Sequence, residues 1–281
     1  MRETVAVSLI DVPTLARRLA GSDPPTVIDV RWRLGEPSAH AAYRHGHVPG
    51  AAFLDLDADV CGEPGPGGRH PLPPRERLQD VLRGAGVRDN HPVVAYDHGD
   101  GQPAARLWWT LRWAGHPDVA VLDGGYAAWV AAGRPVEPGE AEPPYGDFVV
   151  RPGNLPVVDA DGAARIAREG VLIDARVPER YRGEREPVDP VAGRIPGAVN
   201  QPVADLLGPD GLLPRPARLR ELFEAAGVRP DGPVGAYCGS GVSAARTVHA
   251  LHEAGIPASL YVGSWSEWIT DPSRPVARGD A

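Results

Sequence analysis

Cys238 is the residue of this chain whose surroundings are best suited to chemistry. It directly follows the apolar run Val234–Tyr237 and directly precedes a helix-like segment that begins near Ser243. The loop Gly239-Ser240-Gly241-Val242 is small and rich in glycine, so it leaves the sulfur exposed and lets successive backbone N–H groups turn inward. These donors and the positive end of the helix favour an anion, and the thiolate is the reactive form of cysteine. The pattern predicts a nucleophile whose loop could also hold a persulfide or an oxyanion.

A second copy of the same pattern carries Asp97 where this one carries Cys238. Pro92–Asp97 and Pro103–Arg106 match Pro233–Cys238 and Ser243–Arg246. Three further pairs of blocks match in the same order: Ile28–Arg31 with Ile173–Arg176, Gly46–Ala51 with Gly193–Ala198, and Val121–Trp129 with Tyr261–Trp268. The copies lie about 140 residues apart, which is too far for solenoid repeats. The difference indicates that the cysteine carries chemistry, that the matching blocks are scaffold, and that the first copy is inactive.

The chain of 281 residues has the length of two domains. Its composition changes in a stretch rich in Pro, Gly and Glu that disfavours helices and central strands. We therefore predict an N-terminal domain over residues 1–133, a linker over 134–153 and a C-terminal catalytic domain over 154–281.

Short apolar runs alternate with helix-like segments in both copies, which is typical of an α/β fold. The predicted strands are 26–30, 93–96, 119–122, 171–173, 234–237 and 259–262; the predicted helices include 12–20, 104–114, 159–169, 217–226 and 243–254. Such alternation indicates a mostly parallel sheet with helices on both faces in each domain. Sites in these folds form at the carboxyl ends of strands, where Cys238 is placed.

Composition narrows the class of function. The net charge is −8 and no basic stretch stands out, which argues against nucleic acid as a partner. The chain has no lysine, so Schiff-base chemistry and a phosphate-loop lysine are excluded. No apolar run approaches the roughly 20 residues that span a bilayer, and we expect a cytoplasmic protein. The two cysteines are expected to be free thiols, with Cys61 a buried structural residue.

The tandem repeat and the loop Cys238–Ala244 resemble the two-domain rhodanese family, and most closely its 3-mercaptopyruvate sulfurtransferase branch. The family's Gly-His-Ile-Pro-Gly-Ala block is present as Gly46–Ala51 and, altered, as Gly193–Ala198, and its Gly-Ser-Trp block as Gly263–Trp265. The resemblance implies a double displacement in which Cys238 takes sulfur from a donor as a persulfide. It then passes the sulfur to cyanide, a thiol or thioredoxin, and neither a metal nor an organic cofactor is required.

The resemblance also implies how a donor is bound. Members that use thiosulfate typically have basic residues just after the cysteine, whereas Gly239 and Ser240 are neutral, which favours 3-mercaptopyruvate. Two arginines hold that substrate in the family. The first corresponds to Arg180, and the second belongs to a Pro-Glu-Pro-Arg stretch that is absent here, which leaves Arg185 as the nearest candidate. The loop residues expected to contact the donor are Gly239, Gly241, Val242 and Ser243.

A proton relay in the family implies three more residues, namely Ser240, His47 and Glu36. His47 could act only if the two copies face each other, and a purely structural role is an equal alternative.

Three other functions remain open. A related phosphatase is disfavoured because Ala244, not arginine, is the sixth residue after Cys238. A non-enzymatic sulfur-binding module is disfavoured because Cys238 is retained, and a thiosulfate-specific enzyme differs only in its donor.

Overall fold

The computed structural model describes residues 8–229 and 231–280, which form two compact units. The first unit contains residues 8–62 and 73–155, and the second contains residues 63–72, 156–229 and 231–280. The short segment 63–72 thus comes from the N-terminal copy of the repeat but packs with the C-terminal one. This exchange was not predicted from the sequence.

The first unit is built on a parallel sheet. In chain order its elements are β1 Leu9–Ile10, α1 Val12–Leu19, β2 Thr26–Asp29, α2 His40–His45, β3 Ala52–Phe53, a π-helical turn Leu56–Val60, α3 Arg75–Gly84, β4 Val93–Tyr96, α4 Gln102–Trp113, β5 Val119–Leu122 and α5 Gly125–Ala131. Over its described residues the strands lie in the order β1-β5-β4-β2-β3, and all pairs are parallel.

The second unit repeats this plan. Its elements are β6 Val157–Val158, α6 Ala160–Glu169, β7 Val171–Asp174, α7 Pro178–Tyr181, β8 Val199–Asn200, a 3₁₀ turn Val203–Leu206, α8 Pro216–Ala225, β9 Val234–Tyr237, α9 Val242–Glu253, β10 Ser259–Tyr261 and α10 Ser264–Trp268. The strand order β6-β10-β9-β7-β8 matches that of the first sheet strand for strand, again with parallel pairs. The predicted α/β fold class is confirmed in both copies.

The predicted elements are found within one or two residues of their expected ends, and the differences have a simple cause. β4, β5 and β9 have the predicted bounds, and Asp159 caps α6 by accepting a hydrogen bond from the Gly162 N–H at 2.8 Å. The strands that sequence reasoning missed are β1, β3, β6 and β8, each of two residues. Two residues are too few to show a periodic apolar pattern.

A buried ion pair fixes the end of β7, the strand beside β9. Asp174 is fully buried and bonds the guanidinium of Arg176, which also donates to the Gly193 carbonyl at 2.7 Å. The same guanidinium lies 4.9 Å from the ring centre of Trp265. The first unit has the equivalent pair, Asp29 with Arg31. These contacts explain why the matching blocks persist in the copy that lacks a cysteine, since they build the scaffold.

Candidate active site

Cys238 lies where β9 ends and α9 begins, as predicted. The Gly241 N–H donates to its Sγ at 3.1 Å, and Gly241 is the residue that caps the N-terminus of α9. The twelve-residue helix therefore directs its positive end at the sulfur, an arrangement that suits an anionic group at this position. The predicted exposure is wrong: Cys238 is only 3% exposed, and Ser240 only 6%. The loop is small, but side chains from distant segments lie over it.

The first unit shows what this loop holds. Asp97 occupies the position of Cys238, and its carboxylate accepts hydrogen bonds from the N–H groups of Gly99, Gly101 and Ala104 at 2.8 to 3.1 Å. Gly101 caps α4 as Gly241 caps α9. The same capping N–H group thus donates to a carboxylate in one copy and to sulfur in the other, at 3.1 Å in each case. The loop is a cradle for an anion.

The cradle offsets only part of the cost of burying a charge. Burial and the nearby Asp100 raise the pKa of Asp97 to about 6, against the backbone N–H bonds that lower it. The carboxylate remains mostly ionised at neutral pH. Cys61 is fully buried, and burial raises the pKa of its thiol. A thiol that stays protonated is unreactive, which suits the structural role expected for Cys61.

Ser264 holds the backbone of the catalytic loop. It is fully buried, its Oγ accepts from the Cys238 N–H at 3.2 Å and donates to the Tyr261 carbonyl at 2.8 Å. Its φ is +53°, a left-handed conformation that costs a residue with a side chain about 1–2 kcal/mol. The equivalent residue in the first unit is Gly125, with φ +54°. Serine therefore occupies a backbone conformation that suits glycine, in the copy where its hydroxyl accepts from the backbone N–H of the cysteine.

The segment 63–72 brings a histidine to the loop of Cys238. The Nδ1 of His70 lies 2.7 Å from the Oγ of Ser240, and His70 is 7% exposed. The segment is fixed by Ser266, whose Oγ accepts from the Arg69 N–H at 3.0 Å and donates to the Gly263 carbonyl at 3.0 Å. Ser240 and His70 form a hydrogen-bonded pair beside the nucleophile, and this pair can transfer a proton.

Two guanidinium groups lie against Gly239. A side chain at this position would begin 2.8 Å from Nη2 of Arg69 and 3.4 Å from Nη2 of Arg180, so any larger residue would displace the Arg69 guanidinium. Asp189 bonds both arginines, and Glu186 bonds Arg180. Burial raises the pKa of Asp189, and the arginines offset part of that rise. Burial also opposes ionisation of Glu186, but hydrogen bonds from Arg180 and from backbone N–H groups lower its pKa overall.

The other predicted residues are distributed as follows. Val242 is buried as the first residue of α9, and Ser243 follows it in the first turn. Arg185 has an exposed side chain. His47 is fully buried in the first unit, with Nδ1 3.0 Å from the Tyr43 carbonyl and its ring stacked on that of Tyr43.

Glu36 belongs to the same unit, on an exposed segment, where it pairs with Arg33 at 3.8 Å. The roles of His47, Glu36 and Arg185 stay predictions.

Sequence reasoning missed Arg69 and His70, although a signal was present. The connection from β3 to α3 covers residues 54–74, whereas its counterpart from β8 to α8 covers only 201–215. The connection in the first copy is therefore longer than the one that joins the equivalent elements in the second copy. A longer, Gly- and Pro-rich loop with arginine and histidine in the inactive copy is a signal for a part supplied to the active one.

Cation and membrane sites are not evident in the described part of the chain. Among residues 8–229 and 231–280, no group of three or more His, Cys, Asp or Glu side chains is arranged to hold a metal ion. Within the same ranges, no helix has both the length and the apolar character to span a bilayer. Both cysteines are free thiols.

Comparison with known proteins identifies the family. The family model described as "Rhodanese-like domain" matches residues 12–132 and again 159–271. The chain belongs to the rhodanese-like family and contains two copies of its domain.

Relatives with this organisation cover nearly the whole chain. The Pseudomonas aeruginosa protein named "Probable 3-mercaptopyruvate sulfurtransferase" is 46% identical over 98% of this chain and 99% of its own. The Mycobacterium tuberculosis protein named "Putative thiosulfate sulfurtransferase SseB" is 46% identical over 97% of this chain and 98% of its own. The solved structure of Escherichia coli SseA, titled as a 3-mercaptopyruvate sulfotransferase, superposes with a TM-score of 0.82 at 31% identity and covers 93% of this chain and 100% of that one.

Proposed function

We propose that this protein is a sulfurtransferase that moves sulfane sulfur from 3-mercaptopyruvate through a persulfide on Cys238 to a thiophilic acceptor. The observation that carries the proposal is the cradle around Cys238, in which a helix-capping N–H donates to the sulfur just as its counterpart donates to a carboxylate. A site that accommodates negative charge on the sulfur also suits a persulfide anion, because the charge lies at the same end of the helix. Relatives named for this activity cover nearly the whole chain.

The first half-reaction is a transfer of one sulfur atom. The Cys238 thiolate attacks the sulfur of the donor, an S–S bond forms and the donor C–S bond breaks. The electron pair of the C–S bond stays on C3 of the donor, as an enolate of pyruvate that the neighbouring keto group stabilises. C3 then takes the proton of the donor thiol, which gives pyruvate. The hydrogen-bonded pair of Ser240 and His70 offers the path for that proton.

The second half-reaction restores the enzyme. A nucleophile such as cyanide or a thiol attacks the outer sulfur of the persulfide, and the S–S electron pair returns to Cys238 as the thiolate. We include thioredoxin as an acceptor and a cytoplasmic location in the proposal. The two free thiols suit a reducing compartment, where disulfides are rare.

Thiosulfate is the second candidate donor, and one observation favours it. The neutral residues Gly239 and Ser240 disfavour a dianion by themselves, but Arg69 and Arg180 bring positive charge to the same loop from other segments. The neutral loop alone therefore does not exclude thiosulfate as the donor. The carboxylate of 3-mercaptopyruvate matches a guanidinium fork well, which keeps it the first choice.

Steady-state transfer of sulfur to cyanide, with each donor in turn, tests the proposal. We expect kcat/KM to be higher for 3-mercaptopyruvate than for thiosulfate. Cys238→Ser should abolish transfer while urea unfolding remains close to that of the wild type, because serine is nearly isosteric but a much weaker nucleophile towards sulfur.

Mass spectrometry of enzyme incubated with donor alone should detect one added sulfur atom on the peptide containing Cys238. Transfer retained in Cys238→Ser would refute the mechanism, and a higher kcat/KM for thiosulfate would change the donor but not the nucleophile. Activity with neither donor would leave a sulfur-binding module as the better description.

A further inference from the structure

The residues around Gly239 contain more hydrogen-bond donors than the scaffold uses. Arg69 donates to Asp189 through Nη1, while its Nη2 is directed at Gly239. Its Nε is buried and has no hydrogen-bond partner among the residues that the structure describes. A guanidinium has five N–H donors, and burying one of them without a partner is costly. Within the described chain, Arg69 thus keeps one donor without a partner, and its Nη2 lies against the residue next to the nucleophile.

Arg180 supplies the second half of the arrangement. Its Nε donates to Glu186 at 2.9 Å and its Nη2 to Asp189 at 2.8 Å, while Nη1 lies 3.5 Å from the position of a side chain at Gly239. Asp189 is thus bonded by both arginines, one through each carboxylate oxygen. Since a carboxylate that bonds two guanidinium groups restricts their movement, Asp189 fixes the distance between them.

The exposed fractions of the side chains around Gly239 agree with a site that a small molecule enters. The side chains of Arg69 and Arg180 are 26% and 14% exposed, whereas that of Asp189 is 2% exposed. The carboxylate is therefore beneath the guanidinium groups, and these retain access to solvent. The arrangement lies against Gly239, and the exposed fractions of the two arginine side chains leave their guanidinium groups open to a ligand.

We infer that Arg69 is the second donor-binding arginine of this enzyme, held by Asp189 so that Arg69 and Arg180 together bind the carboxylate of the sulfur donor above Gly239. The inference rests on the proposed function and deepens it. The stretch 183–190 lacks the expected second arginine, and Asp189 in this stretch instead recruits an arginine from segment 63–72. Asp189 is a positioning residue, and Arg69 and Arg180 are the groups that contact the donor.

The test is the KM for 3-mercaptopyruvate in Arg69→Gln. A charge-assisted hydrogen bond contributes about 1.5–3 kcal/mol, so we expect KM to rise about 10- to 100-fold. Mercaptoacetone retains the reacting thiol and keto groups but lacks the carboxylate, and its kcat/KM should change less than about threefold. The matched control is Arg218→Gln, which removes an exposed arginine from an ion pair with Glu221 on α8 and should leave both donors unaffected.

A second variant separates binding from folding. Arg69→Gln leaves the buried Asp189 with one partner fewer, whereas Arg69→Gln combined with Asp189→Asn removes a balanced pair of charges. The double variant should unfold in urea closer to the wild type and still show the raised KM. Release of sulfur from preformed Cys238 persulfide to cyanide should be unchanged in both variants, because this step does not use the donor carboxylate.

Outcomes for the site and for the overall function can be told apart. Wild-type turnover of the two donors decides the proposed function. The assignment of Arg69 is decided by KM for whichever anionic donor the wild type uses. An unchanged KM in both Arg69 variants overturns the assignment, as does an equal loss with mercaptoacetone. A raised KM in Arg185→Gln with an unchanged KM in Arg69→Gln would assign the site to Arg185 instead.

Discussion

Ser264 offers the sharpest test of how the scaffold holds the nucleophile. Replacing it by alanine keeps a side chain at φ +53° but removes the hydroxyl that accepts from the Cys238 N–H. A buried donor left without its partner costs about 1–3 kcal/mol. We therefore expect Ser264→Ala to lose about 2 kcal/mol of unfolding free energy, which is a factor of about 30 in the equilibrium.

Glycine at the same position separates the hydrogen bond from the backbone strain. Ser264→Gly loses the same hydroxyl but relieves the left-handed strain of about 1–2 kcal/mol, partly offset by the greater entropy of glycine in the unfolded chain. We expect it to be about 1 kcal/mol more stable than Ser264→Ala. The first unit already has glycine here, Gly125. Both variants should lower kcat, since the loop that carries Cys238 loses one of the hydrogen bonds that hold it.

The measurements are urea unfolding, kcat with 3-mercaptopyruvate, and hydrogen exchange at the Cys238 amide. Exchange should accelerate in both variants, because the bond that protects this amide is gone. Ser273→Ala is the matched control, since its hydroxyl is exposed and bonds only Asp271, and it should change stability by less than about 0.5 kcal/mol. If Ser264→Ala is as stable as the wild type, or more stable than Ser264→Gly, the role given to this hydroxyl is wrong.

Three other predictions address the cradle, the scaffold and proton transfer. The pKa of Asp97 in the folded protein is about 6, above its ordinary value of 3.8. The protonated carboxyl therefore contributes to the stability of the fold fully below about pH 4, and this contribution is lost as pH rises through 6. Asp97→Asn does not titrate, so its unfolding free energy in urea should gain up to about 3 kcal/mol relative to the wild type between pH 4 and 7. Arg176→Met leaves Asp174 as a buried unpaired charge and should cost about 3–5 kcal/mol, part of which Asp174→Asn should restore in the double variant; a loss below 1 kcal/mol would contradict this. Ser240→Ala breaks the hydrogen bond with the buried His70 and should lower kcat on the order of 100-fold while costing about 1–3 kcal/mol of unfolding free energy, and an unaltered kcat would remove the pair from proton transfer.

The sequence predicted what depends on local pattern. The longer strands, their order of appearance and the position of Cys238 follow from apolar runs, capping residues and the comparison of two copies, and the structure confirms them. Arg180 was identified from the resemblance, and it does lie against Gly239. The features that were missed depend on contacts between distant segments. Neither the burial of Cys238 nor the pairing of Ser240 with His70 can be read from neighbouring residues, because residues 63–72 reach that loop only in the folded chain.

The position of segment 63–72 has an evolutionary consequence. A duplicated domain that loses its nucleophile is ordinarily free to be deleted or replaced. Here the copy with Asp97 encodes the Arg69 and His70 that lie against the loop of the other copy, so loss of the first copy would also remove these contacts. A fragment beginning at residue 156 would retain Cys238 but lack both residues. The surroundings of Cys238 are therefore encoded by both copies of the repeat, through the ten residues 63–72 of the first.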